Sequence, residues 1–133
     1  MKKVFIVVIV PLLLSSCLNR TDHHFYMKNQ STDTLQLYYK GAEMFRIRSI
    51  VMEPEMDLFL IDASTYESGT KSKLSNQEIV DHFSYFKFKG DSDLFKLNTE
   101  TLSLRLSHYI DFDDVNKNTE HHYIINIYDE DLE

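Results

Sequence analysis

The sequence contains little cysteine, glycine and proline and lacks tryptophan: its 133 residues include 1 Cys, 3 Gly and 2 Pro. A single cysteine excludes an intramolecular disulfide framework. So few Gly and Pro residues exclude collagen-like, low-complexity and long-linker proteins. The chain also lacks the G-x-S-x-G, H-E-x-x-H and glycine-rich phosphate-binding motifs. We therefore predict a non-enzymatic protein without a cofactor.

Basic residues are also few: 14 Lys and Arg stand against 21 Asp and Glu, a formal net charge of −7. Nucleic-acid-binding proteins carry basic patches for phosphates, so this balance predicts no nucleic-acid partner. The length allows one domain. Eight acids lie between Asp111 and Glu133, where Lys117 is the only basic residue. This acidic segment is typical of a surface that meets a basic partner.

The first 16 residues have the pattern of an export signal. Lys2 and Lys3 precede an apolar run over residues 4–14 that only Pro11 interrupts. A membrane-spanning helix needs about 20 apolar residues, so this run is too short to be one.

The residues Leu14-Ser15-Ser16-Cys17 that follow resemble the lipobox of bacterial lipoproteins. The resemblance implies that residues 1–16 are a lipoprotein signal peptide and that Cys17, acylated with palmitate-type chains, anchors the mature chain in the membrane. Without Lys2 and Lys3 the mature chain has 12 basic and 21 acidic residues, a net charge of −9. We predict a short tether over 17–22 and a single domain over 23–133.

The same resemblance implies a location in the bacterial cell envelope. Residues 18–22 lack the cluster of acids after the cysteine that resembles surface-export signals. We therefore expect the protein in the outer membrane, facing the periplasm.

From Phe25 onward, apolar and polar residues alternate with a period of two, which predicts half-buried β-strands. The apolar positions of these strands are Leu35/Leu37/Tyr39, Phe45/Ile47, Leu102/Leu104/Leu106 and Tyr123/Ile125/Ile127. Residues 58–61 are apolar on both faces and predict a central strand. Phe86/Phe88 and Phe95/Leu97 predict a hairpin around residues 89–93.

One segment has helical signals instead. Ser75 and Glu78 have the spacing of a capping box, and Leu74 and Ile79 that of a hydrophobic staple, which predicts a helix over 76–84.

Residues 64–73 are predicted to form a loop. Seven to nine strands and one short helix indicate a mainly β fold, an immunoglobulin-like antiparallel β-sandwich. A small closed barrel is the alternative.

Both ends of this domain resemble small lipoproteins of Bacteroidetes-type bacteria, most of them of uncharacterised function. The residues that carry the resemblance are those over 27–39, MKNQSTDTLQLYY, and over 122–132, HYIINIYDEDL. The resemblance implies a β-sandwich of the cell envelope. Asp33-Thr34-Leu35 is also similar to an O-glycosylation acceptor of such bacteria, although an Asp-Thr turn before a strand is the favoured interpretation of Thr34.

Two histidine pairs, His23-His24 and His121-His122, lie near the two ends of the domain. If the first and last strands are neighbours, four imidazoles approach each other and would suit Zn²⁺ or Cu²⁺. Neighbouring strand residues point to opposite faces, so each pair offers at most one ligand per face. Satisfied or exposed histidines are therefore favoured over a metal site.

Residues 111–120 are rich in oxygen donors, and their spacing resembles that of a calcium loop. The candidate ligands are Asp111, Asp113, Asp114 and Asn116. Thr119 occupies the glycine position of an EF-hand loop and Ile125 the position of its bidentate acid, so an acidic hairpin turn is favoured.

Several tyrosines are expected to be exposed and to supply binding area. They are Tyr38, Tyr66, Tyr85, Tyr109 and Tyr128. Together these features predict a lipid-anchored envelope protein that binds an envelope protein or a glycan. The alternative is an acidic immunity or inhibitor lipoprotein that acts on a basic toxin or a lysozyme-like enzyme. A hydrolase is the third hypothesis, and a deep pocket with carboxylates inside would distinguish it.

Overall fold

The computed structural model describes residues 18–68, 73–89, 95–113 and 118–132. The predicted signal peptide over 1–16, Cys17, Asp114 and Asn116 lie outside these ranges. No helix within the described ranges is both long enough and apolar enough to cross a bilayer.

Seven strands and two short helices account for most of the described residues. The strands are β1 (Leu18–Asn29), β2 (Leu35–Gly41), β3 (Arg48–Met52), β4 (Asp57–Ser68), β5 (Phe83–Phe88), β6 (Leu106–Asp113) and β7 (Asn118–Ile127). The helices are α1 (Asn76–Asp81) and α2 (Thr99–Arg105), and a 3-10 turn (Asp129–Asp131) follows β7.

The strands form two sheets. One contains four strands in the order β4-β1-β7-β6, and the other contains three in the order β3-β2-β5. The first and last strands, β1 and β7, are parallel neighbours in the middle of the larger sheet, and every other pair is antiparallel. The two histidine pairs of the sequence therefore lie next to each other.

The core lies between the two sheets, because alternate residues of each strand point to the other sheet. Phe25 of β1 and Leu37 of β2 are fully buried there, and the Tyr39 hydroxyl donates to the Leu60 carbonyl oxygen at 3.3 Å, which ties one sheet to the other. The mainly β, two-sheet prediction is confirmed. In an immunoglobulin constant-type domain the first, second, fifth and fourth strands share a sheet, so the strand order here gives no support to the finer immunoglobulin-like assignment.

The turn between β1 and β2 is built by Asn29. Its side-chain oxygen accepts from the Ser31 N–H at 3.0 Å and from the Ser31 hydroxyl at 2.6 Å, while its amide donates to the carbonyl oxygens of Asp33 and Met52. These bonds satisfy backbone groups of a tight turn. Thr34 is exposed directly before β2, in agreement with the Asp-Thr turn.

Helix α1 confirms the capping box. The Ser75 hydroxyl accepts from the Glu78 N–H at 3.2 Å, and the Glu78 carboxylate accepts from the Ser75 N–H at 2.8 Å. The helix ends at Asp81, earlier than the predicted residue 84, because Phe83 pairs with Gly41 in the β2–β5 ladder.

The predicted strand at Leu102/Leu104/Leu106 is wrong, because residues 99–105 form α2. The Asn98 side chain accepts from the Thr101 N–H at 2.8 Å and caps the helix. Leu102 faces the core with 1% of its surface exposed, whereas Leu104 is 71% exposed. Only Leu106 belongs to a strand, the first residue of β6.

Other predicted strands also differ from the structure. Phe45, 99% exposed, and Ile47, 52% exposed, precede β3 and are not in a strand. Residues 58–61 lie in β4, at an edge of its sheet rather than in the centre. Residues 64–68 belong to β4 and not to a loop. Phe95 and Leu97 lie outside the strands, so they form no hairpin with β5.

The predicted tether differs as well. Residues 18–22 are the beginning of β1, paired with β4 on one side, and from Thr21 onward also with β7 on the other. Thr21 and Asp22 are buried. The folded domain therefore includes residues 18–22, which precede its predicted start at His23.

Candidate functional site

The pairing of β1 with β7 places the four predicted histidines on both faces of the larger sheet. His23 is in register with His121, and His24 with His122. The ring centroids are 5.1 Å apart in the first pair and 5.0 Å in the second, and both pairs are stacked. One histidine of each sequence pair therefore lies on each face, as the strand period predicts.

The inward-facing histidines are core residues. His23 and His121 are each 1% exposed. The Tyr123 hydroxyl accepts from the Leu74 N–H at 2.9 Å and lies 3.1 Å from His23 Nδ1, so its proton is available to that nitrogen. The Nδ1 atom of His23 therefore has a polar contact in the core.

His108 belongs to the same inner cluster, and the sequence pattern did not single it out. Its Nε2 lies 2.9 Å from His121 Nδ1, and its ring packs 4.9 Å from the ring of Tyr123. Burial, followed by the nearby His121 and Lys73, lowers the pKa of His108. The signal that would have found it is the hairpin register, which pairs His108 with Tyr123.

The outward-facing histidines lie among carboxylates and a tyrosine, a group that we call the outer histidine patch. It consists of Asp22 and His24 from β1, Glu120 and His122 from β7, and Tyr109 and Asp111 from β6. The ladder register aligns the three acids in one row across the strands, and the two histidines and Tyr109 in the next. The β6–β7 pair places its four members of the patch side by side, and the long-range pairing of β1 with β7 adds Asp22 and His24.

His122 is the central side chain of the outer histidine patch. Its Nε2 lies 3.5 Å from Asp111 Oδ2 and 3.7 Å from Glu120 Oε2, and the other oxygen of Glu120 lies 3.9 Å from His24 Nε2. These separations exceed those of hydrogen bonds. Both ring nitrogens of His122 are buried and have no hydrogen-bond partner within the described part of the chain.

Aromatic rings hold the imidazole of His122 in place. The Tyr109 ring stacks on it at 4.4 Å with an interplanar angle of 6°, and Tyr26 packs at 5.8 Å. Burial lowers the pKa of His122, and His24 adds to this effect, whereas Asp111 and Glu120 oppose it. The neutral imidazole, which can bind a metal, is therefore the favoured form near neutral pH.

Asp22 is already engaged within the protein. Its Oδ1 accepts from Arg20 Nε at 2.8 Å and from the Ser64 hydroxyl. Burial by itself raises the pKa of Asp22, but the hydrogen bonds from Ser64 and Arg20 outweigh burial and leave this pKa below its ordinary value. Asp22 is thus less available to a ligand than Asp111.

Two groups of three side chains in the outer histidine patch bring potential metal-ligating atoms within 4.8 Å of one another. They are Asp22, His24 and Glu120, and Asp111, Glu120 and His122. Both include Glu120. Of the predicted calcium ligands, Asp111 belongs to the second group, and Asp113 is the last residue of β6. The antiparallel β6–β7 pair agrees with the predicted hairpin.

The acids of the segment over 111–133 that the structure describes lie near the two ends of β7. Asp111 and Glu120 belong to the outer histidine patch at one end of β7. At the other end, Glu130 and Asp131 pair with Arg105, and Asp129 accepts from the N–H and hydroxyl of Thr32. Part of the acidity therefore forms ion pairs and hydrogen bonds with other residues of the protein.

A cleft of about 550 Å³ opens beside β4, the end of β2 and α1. Its lining combines apolar residues, such as Leu60, Ile61 and Ala63 from β4, with titratable ones: His23, Glu43, Arg48, Asp62, Glu78, Asp81 and His82. This volume lies within the range typical of ligand sites. The sequence pattern did not predict this cleft, because residues from distant segments form it.

Of the tyrosines expected at the surface, Tyr85 and Tyr109 are exposed, and Tyr38 and Tyr128 are half-buried. The side chain of Tyr66 lies outside the described residues. Tyr85 and Tyr109 are on different sheets.

No protein-family model, no curated protein and no solved structure matches the chain.

Proposed function

We propose that the protein is a lipid-anchored cell-envelope protein with a non-enzymatic binding role, in the outer membrane and facing the periplasm. The lipobox-like residues Leu14-Ser15-Ser16-Cys17 support the anchor. The cleft beside β4 is the observation that supports binding, because its volume is that of a ligand site and its lining combines apolar with titratable side chains. The immunoglobulin-like assignment of the two-sheet fold stays a prediction.

The start of β1 at Leu18 determines how an anchor at Cys17 would hold the domain. Asp22 follows Cys17 by five residues, so the two Cα atoms are at most about 18 Å apart. An acylated Cys17 would therefore keep this end of the larger sheet close to the lipid headgroups. Since β1 leaves no free linker after residue 18, the domain would have little freedom to move away from the membrane.

The anchor is tested by Cys17→Ser, with Asn19→Ser as a control that leaves the cysteine in place. We expect the wild type and the control in the membrane fraction, with an intact mass equal to residues 17–133 plus acyl chains. Cys17→Ser should lose the added mass and the membrane association. A Cys17→Ser protein that stays in the membrane pellet after a high-pH wash contradicts the anchor.

The binding role is tested by filling the cleft. Ala63→Trp adds bulk at the cleft lining, whereas Ser49→Trp adds the same side chain to an exposed position of β3. We expect crosslinking in intact cells to couple the wild type and Ser49→Trp to the same envelope protein or glycan, and Ala63→Trp to lose that product. Equal thermal stability of the two variants is the control for folding. Retention of the product by Ala63→Trp contradicts binding in the cleft.

The acidic immunity or inhibitor role is the second candidate, and the side chain of Asp111, 63% exposed, favours it. Attraction between exposed charges weakens as salt screens them. Binding to a cationic lysozyme should then fall steeply with ionic strength and fall again in Asp111→Asn. An absence of both binding and inhibition at low salt removes this candidate.

A further inference from the structure

We propose that the outer histidine patch binds one divalent transition-metal ion, best matched by Zn²⁺, through His122 Nε2 and carboxylate oxygens of Asp111 and Glu120. This inference does not depend on the lipid anchor or on the cleft. It rests on three side chains that β6 and β7 bring together.

The distances fit a metal better than they fit hydrogen bonds. His122 Nε2 lies 3.5 Å from Asp111 Oδ2 and 3.7 Å from Glu120 Oε2. Nitrogen and oxygen ligands about 2.0–2.2 Å from a tetrahedral zinc ion are about 3.3–3.6 Å from one another. The two N···O separations are therefore close to the edge lengths of such a tetrahedron.

The burial of His122 is the second, independent observation. Its side chain is only 10% exposed, and both ring nitrogens lack a hydrogen-bond partner among the residues of the described ranges. A buried polar atom without a partner costs free energy. The Nε2 atom faces two carboxylates, and a cation between the three groups would give this nitrogen a partner.

The charge of the site also favours a cation. Asp111 and Glu120 are cross-strand neighbours in the β6–β7 ladder. Two like charges opposite each other in a ladder repel. Within the described ranges neither carboxylate makes an ion pair with Lys or Arg. A divalent ion would cancel this repulsion.

The donor atoms select the class of ion. Calcium and magnesium prefer oxygen ligands throughout, whereas an imidazole with carboxylates suits zinc and the neighbouring transition metals. The other group of three, with Asp22 and His24, is a poorer site because Arg20 and Ser64 already occupy Asp22 Oδ1. Three protein ligands leave a fourth zinc position for water or for a partner's side chain.

Zinc titration of the purified full-length protein, followed by calorimetry and by melting temperature, tests the site. We expect one equivalent of zinc to bind and to raise the melting temperature. Asp111→Asn keeps the size of an exposed side chain, and it should weaken zinc binding by more than about tenfold without loss of folding, because it removes a ligand. His122→Gln should also weaken it by more than about tenfold.

Two matched controls separate this site from binding at any histidine or acid. His82→Gln alters a histidine outside the outer histidine patch, and Glu130→Gln alters an exposed acid near Arg105. Both variants should bind zinc as the wild type does. No zinc binding by the wild type overturns the proposal. Unchanged zinc binding by Asp111→Asn, or displacement of zinc by millimolar calcium, overturns it as well.

Discussion

At the scale of single residues, the face of the sheet determines what each histidine does. His23, His108 and His121 pack with Tyr123 on the inner face, where the Tyr123 hydroxyl contacts His23 and His108 contacts His121. His122, on the outer face, is also buried but points at two carboxylates. Two residues that are neighbours in the sequence, His121 and His122, therefore have different chemical surroundings.

The lowered pKa of His108 predicts a pH dependence of stability. Because the folded pKa lies below the unfolded value of about 6.5, the unfolded chain binds the proton first as the pH falls. The free energy of unfolding should therefore decrease below about pH 6.5 and stop decreasing on this account once the pH is below the folded pKa. Urea denaturation at several pH values, in buffer that contains a metal chelator, measures this decrease.

The matched comparison for this prediction is His108→Gln against Ser107→Ala, a neighbouring β6 residue that does not titrate. His108→Gln should flatten the decrease of unfolding free energy with falling pH, whereas Ser107→Ala should leave its slope as in the wild type. An equal slope in His108→Gln and the wild type contradicts the prediction.

At the scale of secondary-structure elements, an N-cap decides between helix and strand where the spacing of the apolar residues fits both. The segment from Leu102 to Leu106 alternates apolar and polar residues like a strand, yet it begins in α2, because the Asn98 cap starts a helix four residues earlier. Leu102 and Leu106 are also four apart, a spacing that both a helix face and a strand face allow. The Ser75 capping box predicted α1 correctly. Recognition of Asn98 as an N-cap would have predicted α2 in the same way.

Two substitutions in α2 distinguish a helix from a strand at this segment. Leu102→Ala should destabilise the protein by about 2–5 kcal/mol, because it leaves a cavity in the core. Leu104→Ala should change the free energy of unfolding by less than about 0.5 kcal/mol, because this side chain is exposed. Chemical denaturation measures both values, and similar losses for the two variants would indicate the strand instead.

At the scale of the whole molecule, the parallel pair of β1 and β7 joins the first and last strands of the described residues. Hydrophobic contacts alone do not hold this pair, since the buried polar residues Thr21 and Asn29 also belong to it. The residues between the two strands must fold before the strands can meet, which makes the pair a long-range contact.

Removal of the first residues of β1 should therefore be costly. A chain that begins at His23 loses the pairing of Arg20, Thr21 and Asp22 with β4, including the bonds of Asp22 to Ser64 and Arg20. We expect it to melt at a lower temperature than a chain that begins at Leu18. Differential scanning calorimetry compares the two, and equal melting temperatures would show that residues 18–22 act as a tether after all.

The sequence by itself determined which residues of β2 and β7 face inward, where α1 begins and which turn follows β1, because period, capping and turn chemistry act within a few residues. Only the tertiary structure decided that β4 is an edge strand, that residues 18–22 are part of β1, and that Asp22 and His24 lie beside Glu120 and His122. Those features depend on which distant strands pair. Strand pairing is set by the packing of the whole chain, and local patterns do not encode it.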